Sequence, residues 1–336
     1  MTSGPETTSG PETKQSYAVV GAGAVGGFYG ARLTEAGHRV HFLFRGDFAH
    51  AKQEGLVVES PLGDVHLGPG ELLAYGDPRD LPPCDVVLVA TKALVPNPAA
   101  DLLASMLGPG TEHTTVVTLQ NGLGIEEALA PVVGSRTLLG GLCFLCSNKI
   151  GPAHVRHLDY GLISLGQHGP TGAAQGVTPP MEQLAADLRG AGIPVALEDD
   201  LVAARWKKLI WNAPFNSLSV LLDALPQELL ALPEARALVA AVMAEVQAGA
   251  AAQGRHIPDA AAQTSMDLTR HMAPYRTSMK LDHDHRRPME VEAIIGNPIR
   301  AAAAHGVDLP VMTTIYRQLC FVDARNQGRL PTLDPA

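Results

Sequence analysis

One stretch constrains this chain more than any other: Ser16-Tyr-Ala-Val-Val20, followed directly by Gly21-Ala-Gly23-Ala-Val-Gly26. The apolar run predicts a short buried strand. The glycines open a helix that ends at Gly37, and Arg39–Phe44 predicts a second strand. A Gly-x-Gly-x-x-Gly turn between a strand and a helix is the context in which this pattern becomes specific for a dinucleotide. Gly21 permits the tight turn, Gly23 lets a pyrophosphate approach the backbone, and Gly26 lets helix and strand pack closely. The free amides at the helix start, those of Ala24 and Val25 among them, then bind the phosphates.

The end of the second strand reads the cofactor. A carboxylate there bonds the ribose 2′-hydroxyl of NAD, whereas an arginine accommodates the 2′-phosphate of NADP. Here Phe44-Arg45-Gly46 precedes any acid, so Arg45 points to NADPH. Further strands are expected at Leu56–Glu59, Val65–Leu67, Asp85–Ala90 and Thr114–Leu119. Two of them run into polar residues, Thr91-Lys92 and Gln120-Asn121-Gly122. The carboxyl ends of strands line the ligand crevice of a doubly wound sheet, which places Lys92 and Asn121 for cofactor or substrate contact. A solvated lysine and an Asn-Gly turn are the plainer alternatives.

After Arg136 the chain reads as short strands (Thr137–Ser147, His154–Arg156, Leu162–Leu165), a helix near Pro180–Arg189 and a closing strand at Pro194–Leu197. Beyond Asp199-Asp200 the strands stop. The remainder reads as helices: Leu201–Leu222, Pro233–Gln253, Ala260–Met272, Met289–Ala304 and Pro310–Asn326. The expected architecture is therefore α/β: an N-terminal Rossmann-type doubly wound sheet over residues 16–199, then an all-helical C-terminal domain over residues 200–330. Residues 1–15 repeat Ser-Gly-Pro-Glu-Thr, have nothing to bury, and are expected to be disordered.

A net charge of −9 argues against nucleic acid or an anionic membrane as partner. No apolar run is expected to approach the ~18 residues of a membrane span, and the N-terminus lacks the basic and apolar regions of a signal peptide, which points to the cytoplasm. Cys143-Phe-Leu-Cys146 has redox spacing, but residues three apart on a strand face opposite ways. His283-Asp284-His285 sits in one loop with nothing nearby to complete a metal site, so no metal is expected.

The helical part carries the chemistry. In Arg205-Trp-Lys-Lys-Leu-Ile-Trp-Asn-Ala-Pro-Phe-Asn216, the residues Lys208, Asn212 and Asn216 recur every four positions and share one stripe. A polar stripe at a domain interface is the bland reading. As a pocket wall, Lys208 polarises a carbonyl and supplies a proton while the asparagines hydrogen-bond substrate. Pro214 lies between them and should kink the helix, freeing the carbonyl of Ile210. Pro288 suits a first helical turn, placing Glu290 and Glu292 near its N-terminus.

In this order and spacing the chain resembles the ketopantoate reductase family, over nearly its whole length after the tail. The family's catalytic lysine precedes two asparagines at four-residue steps, as Lys208 does, and a serine lies twelve residues before its functional glutamate, as Ser278 does before Glu290. Lys92 and Asn121 match further family features, and Arg45 agrees with the family's NADPH preference. The resemblance implies reduction of 2-dehydropantoate to pantoate, for pantothenate and coenzyme A. It implies Lys208 as proton donor, Glu290 on the substrate hydroxyl, Asn121, Asn212 and Asn216 on polar groups, and Ser278 on the carboxylate. Family members often carry Thr before the glutamate and Asp two residues after it; Met289 and Glu292 stand there here. A reductase of another 2-keto acid, ketone or imine is the alternative, and a non-catalytic NADP(H)-binding protein a third. The helical domain could close on itself or pair as a homodimer.

Overall fold

The computed structural model describes residues 14–330, so the repeated tract expected to lack order lies almost wholly outside the described residues. Among the described residues, ten strands form one sheet: β1 (Ser16–Val20), β2 (Arg39–Leu43), β3 (Leu56–Glu59), β4 (Val65–Leu67), β5 (Leu73–Tyr75), β6 (Val86–Val89), β7 (Thr115–Thr118), β8 (Leu138–Gly151), β9 (His154–Gln167) and β10 (Val195–Glu198). Five helices accompany them: α1 (Ala24–Glu35), α2 (Phe48–Glu54), α3 (Pro98–Met106), α4 (Ile125–Val133) and α5 (Pro179–Gly190). Seven more follow: α6 (Leu201–Leu221), α7 (Pro226–Ala231), α8 (Pro233–Ala252), α9 (Asp259–His271), α10 (Ser278–Asp284), α11 (Asn297–Ala303) and α12 (Pro310–Asn326).

Spatial order runs β4-β3-β9-β8-β7-β6-β1-β2-β5, with β10 beside β9. Strands β2, β1, β6, β7 and the start of β8 are parallel, so Arg45, Gly21, Lys92 and Asn121 all leave the sheet at one edge. Every residue of β6 is buried, as expected of a parallel strand covered on both faces. The sheet is mixed rather than wholly parallel, because β8 and β9 form a long antiparallel hairpin and β3 pairs antiparallel with β4. That hairpin replaces the three separate strands expected between Thr137 and Leu165. Bulges at Phe144/Leu145, Cys146/Ser147 and Lys149/Gly151 interrupt its alternation and hide its length from the sequence. β7 pairs with β8 only over Leu138–Gly140, so beyond Gly141 one edge of β8 lacks a strand neighbour and runs toward the helices.

In the helical half, α6 is unbroken through the buried Pro214. Its inner side carries Trp206, Leu209, Ile210, Phe215 and Leu218 into the second core. The Trp206 ring packs against Gly249 of α8, where a Cβ would approach it to 2.6 Å, and its indole donates to Gln253 at 2.7 Å. By length and composition α8 could cross a membrane, contrary to the sequence expectation. Its many alanines raise the mean hydropathy while Val239, Val242, Met243, Val246 and Ala250 are buried in the core with α6. The expected helix from Met289 begins later: Val291 is the first helical residue, a π-helical turn spans Glu292–Gly296, and α11 follows. Pro288 therefore lies before the helix, and Glu290 just outside it.

Candidate active site

At the start of α1 the three glycines behave differently. Gly21 has φ +100°, and a Cβ there would lie 2.9 Å from the Thr91 nitrogen; one on Gly26 would lie 2.3 Å from the Gly21 oxygen. Both are packing requirements. A Cβ on Gly23 would meet nothing within 4 Å. Gly23 is also the N-cap, and no side chain caps the helix, so the amides of Ala24, Val25 and Gly26 are left without a side-chain acceptor. Open space over uncapped donors fits a pyrophosphate. Arg45 is exposed one residue past Phe44, at the same sheet edge.

Across that edge, α6 presents Lys208. Its ammonium donates to the Asn121 side-chain carbonyl at 2.8 Å and to the Cys143 backbone carbonyl at 2.7 Å, and lies 5.3 Å from the centre of the Phe144 ring. The Cys143 carbonyl lies beyond Gly141, on the part of β8 that has no β7 partner. Burial pushes the Lys208 ammonium down to about 8; Arg205 pushes the same way, while Cys143 and Glu290 oppose it. A half-buried lysine that gives up its proton near neutral pH is suited to general acid work.

Glu290 is buried and accepts from the Ala93 amide at 2.8 Å. Burial raises its carboxyl above the usual range, against the pull of that amide and of Lys92 and Lys208. Lys92 itself leans toward the helical half, where it ion-pairs with the buried Asp282. Asn212 is 7% exposed, and its side chain has no hydrogen-bond partner among the described residues. Asn216 accepts from the Met279 amide at 3.4 Å, which ties the stripe to the first turn of α10, where exposed Ser278 stands. The structure thus brings Lys208, Asn121, Glu290 and Lys92 into one cleft, with Asn212, Asn216 and Ser278 along its helical wall. Arg45 and the glycine turn stand at the other end of the sheet edge.

The two departures from the family pattern turn away from this cleft. Met289 is buried in the helical core and its amide donates to Asp323 at 3.0 Å; Glu292 binds Arg300 and Tyr316. The His283-Asp284-His285 segment disperses as well. His283 meets Asn326 at 2.8 Å, Asp284 pairs with Lys280 and Arg276, and His285 meets the Leu281 carbonyl at 2.7 Å.

Several residues of the site left little trace in the sequence. The Cys143 carbonyl is backbone, which any residue supplies. Phe144 is 39% exposed at the cleft, on a strand whose bulges break its pattern. Arg205 and Glu126 form a buried ion pair between α6 and the start of α4. Their one legible signal was charge inside apolar helical patterns.

Two family models match the chain. Ketopantoate reductase PanE/ApbA covers residues 17–170, and ketopantoate reductase PanE/ApbA C terminal covers residues 200–322. A 2-dehydropantoate 2-reductase of Nostoc sp. is 47% identical over 96% of this chain and 99% of its own. The solved 2-dehydropantoate 2-reductase from Geobacter metallireducens GS-15 is 39% identical, with a TM-score of 0.85 over 91% of this chain and 99% of that one. The one from Methylococcus capsulatus is 32% identical, with a TM-score of 0.82 over 93% and 98%.

Proposed function

The chain belongs to the ketopantoate reductase family, and from that premise we propose that it reduces 2-dehydropantoate to pantoate with NADPH. The observation that carries the reading is the Lys208 ammonium, gripped by two carbonyls from the sheet half and held near a pKa of about 8. When bound, the nicotinamide supplies a hydride to the substrate's ketone carbon. Lys208 hydrogen-bonds the ketone oxygen and gives it a proton as negative charge develops there. Asn121 and Cys143 aim that ammonium. Glu290 accepts from the substrate's hydroxyl, Asn212 and Asn216 hold its polar groups, and Ser278 meets the carboxylate. Arg45 takes the 2′-phosphate, which favours NADPH over NADH. Gly21, Gly23, Ala24, Val25 and Gly26 hold the pyrophosphate, and Lys92 and Asn121 border the nicotinamide end. We divide the chain at Asp199-Asp200 into a dinucleotide-binding part, 16–199, and a helical substrate part, 200–330. We place the reaction in the cytoplasm on the route to pantothenate and coenzyme A, in an enzyme that pairs as a homodimer.

The test is NADPH oxidation against a panel of 2-keto acids, run with the parent protein and Lys208→Ala. Ketopantoate should be the preferred substrate, and Lys208→Ala should lower kcat by about 10²–10⁴-fold, the usual contribution of a general acid. Tight NADPH binding without ketopantoate turnover would reject the substrate. Full turnover by Lys208→Ala would remove that lysine from the mechanism.

A further inference from the structure

Arg205 stands one helical turn before Lys208 and has no chemical task in the reading above. Its side chain is 2% exposed and reaches out of α6 into the sheet half. One nitrogen donates to the Gln120 backbone carbonyl at 2.6 Å; another donates to the Thr118 hydroxyl at 2.9 Å and pairs with the Glu126 carboxylate. Gln120 directly precedes Asn121, whose side chain holds the Lys208 ammonium. One turn of α6 therefore grips two consecutive residues of a single strand exit. We propose that Arg205, with Glu126 as its counter-charge, is a positioning residue for the reduction, fixing the strand exit so that Asn121 and Lys208 meet in reactive geometry. The proposal rests on Lys208 as the proton donor.

Two physical arguments favour positioning over simple bracing. Desolvation offsets much of the attraction in a buried ion pair, so such a pair is a weak source of net stability. What a guanidinium adds is direction: its planar fork aims donors at three acceptors in a fixed geometry, whereas a lysine's donors rotate about a flexible stem. Arg205 also has an electrostatic reach. The groups facing Lys208 are Cys143 and Phe144 from β8, Asn121 from the β7 exit, Glu290 from the segment before α11, and Arg205 from its own helix. After burial, Arg205 is the influence that keeps Lys208 ready to release its proton. Glu126 keeps its own charge although burial works against it, because Arg205 and the Thr118 hydroxyl outweigh that penalty.

The experiment compares Arg205→Lys and Arg205→Met in the full chain by steady-state kinetics across pH, thermal melting and NADPH titration calorimetry. Both should lower kcat about 10–100-fold, on the scale of a misplacement of about 1 Å, with KM for ketopantoate and NADPH affinity little changed. The basic limb of the kcat profile should move to higher pH in Arg205→Met and stay in place in Arg205→Lys, which keeps the cation. A folded Arg205→Lys or Arg205→Met with parental kcat overturns the proposal, and so does an unmoved limb in Arg205→Met. If both variants fail to fold, Glu126→Gln decides. It removes the carboxylate that anchors the fork while keeping the fold's shape, so kcat should fall about 10–100-fold with KM little changed; a folded Glu126→Gln with parental kcat overturns the proposal. Failure of the Lys208 reading is a separate result, seen as full turnover by Lys208→Ala.

Discussion

Lys208 is held by two carbonyls that favour its charged form and enclosed by surroundings that disfavour it. The second influence wins, and the sign can be followed to a measurement. A general acid must carry its proton, so kcat should fall as pH rises through about 8. Glu290 is one of the groups that hold Lys208 up, so Glu290→Gln should move that fall to lower pH, apart from any loss in kcat. A pH profile with its basic limb unmoved in Glu290→Gln would separate the two residues electrostatically. Lys208, Asn212 and Asn216 were legible because a four-residue step on a helix is a geometric statement. Ser278 came only from the resemblance to the family, and Glu290 from that resemblance and from its place after Pro288. The grip on Lys208 was not legible, since one acceptor is a main-chain oxygen and the Arg205–Glu126 pair joins positions 79 apart in the chain.

At the scale of the element, the turn into α1 separates two uses of glycine that a motif treats alike. Gly26→Ala would drive a Cβ into the Gly21 oxygen and the Val19 side chain, and should destabilise the fold by about 1–3 kcal/mol or more. Gly23→Ala meets open space at a φ of −90°, so its melting temperature should stay near the parent's. Its methyl would stand where phosphates approach, and NADPH affinity by calorimetry should drop at least about tenfold, or about 1.4 kcal/mol. Parental affinity in Gly23→Ala would take the pyrophosphate off that turn. The strand and helix signals here were strong because residues neighbouring in sequence are neighbours in space. Where elements are shaped by distant packing, as in the bulged β8–β9 hairpin and the π-helical turn at Glu292–Gly296, the local pattern carried less.

Across the whole molecule, the two halves meet closely beside the site. Gly122 has φ +107°, and a Cβ there would lie 2.4 Å from the Ala293 oxygen; the Leu123 amide donates to that same oxygen at 2.9 Å. Asn297 donates to the Leu123 carbonyl at 2.6 Å, and Ala93, Ile125 and Ala293 close over the seam. Gly122→Ala should therefore act on both halves at once. Denaturant titration should show a loss of about 2–4 kcal/mol, from the strained left-handed backbone and the forced contact together. A loss under about 0.5 kcal/mol, the range of surface substitutions, would mean that the seam yields freely. The Asn-Gly turn was visible in the sequence; what it leans on was not, because Ala293 lies in the other half. Asp200 caps α6 by accepting from the Ala203 amide at 2.9 Å, and Arg255 pins that carboxylate at 3.1 Å. From this anchored zero, Lys208 stands eight residues on, about 12 Å along the axis. One codon gained or lost between them would swing the ammonium through about 100° and carry it off the strand exits. The interval from Asp200 to Lys208 is a fixed length, and whichever residues fill it, a frame-preserving insertion breaks it.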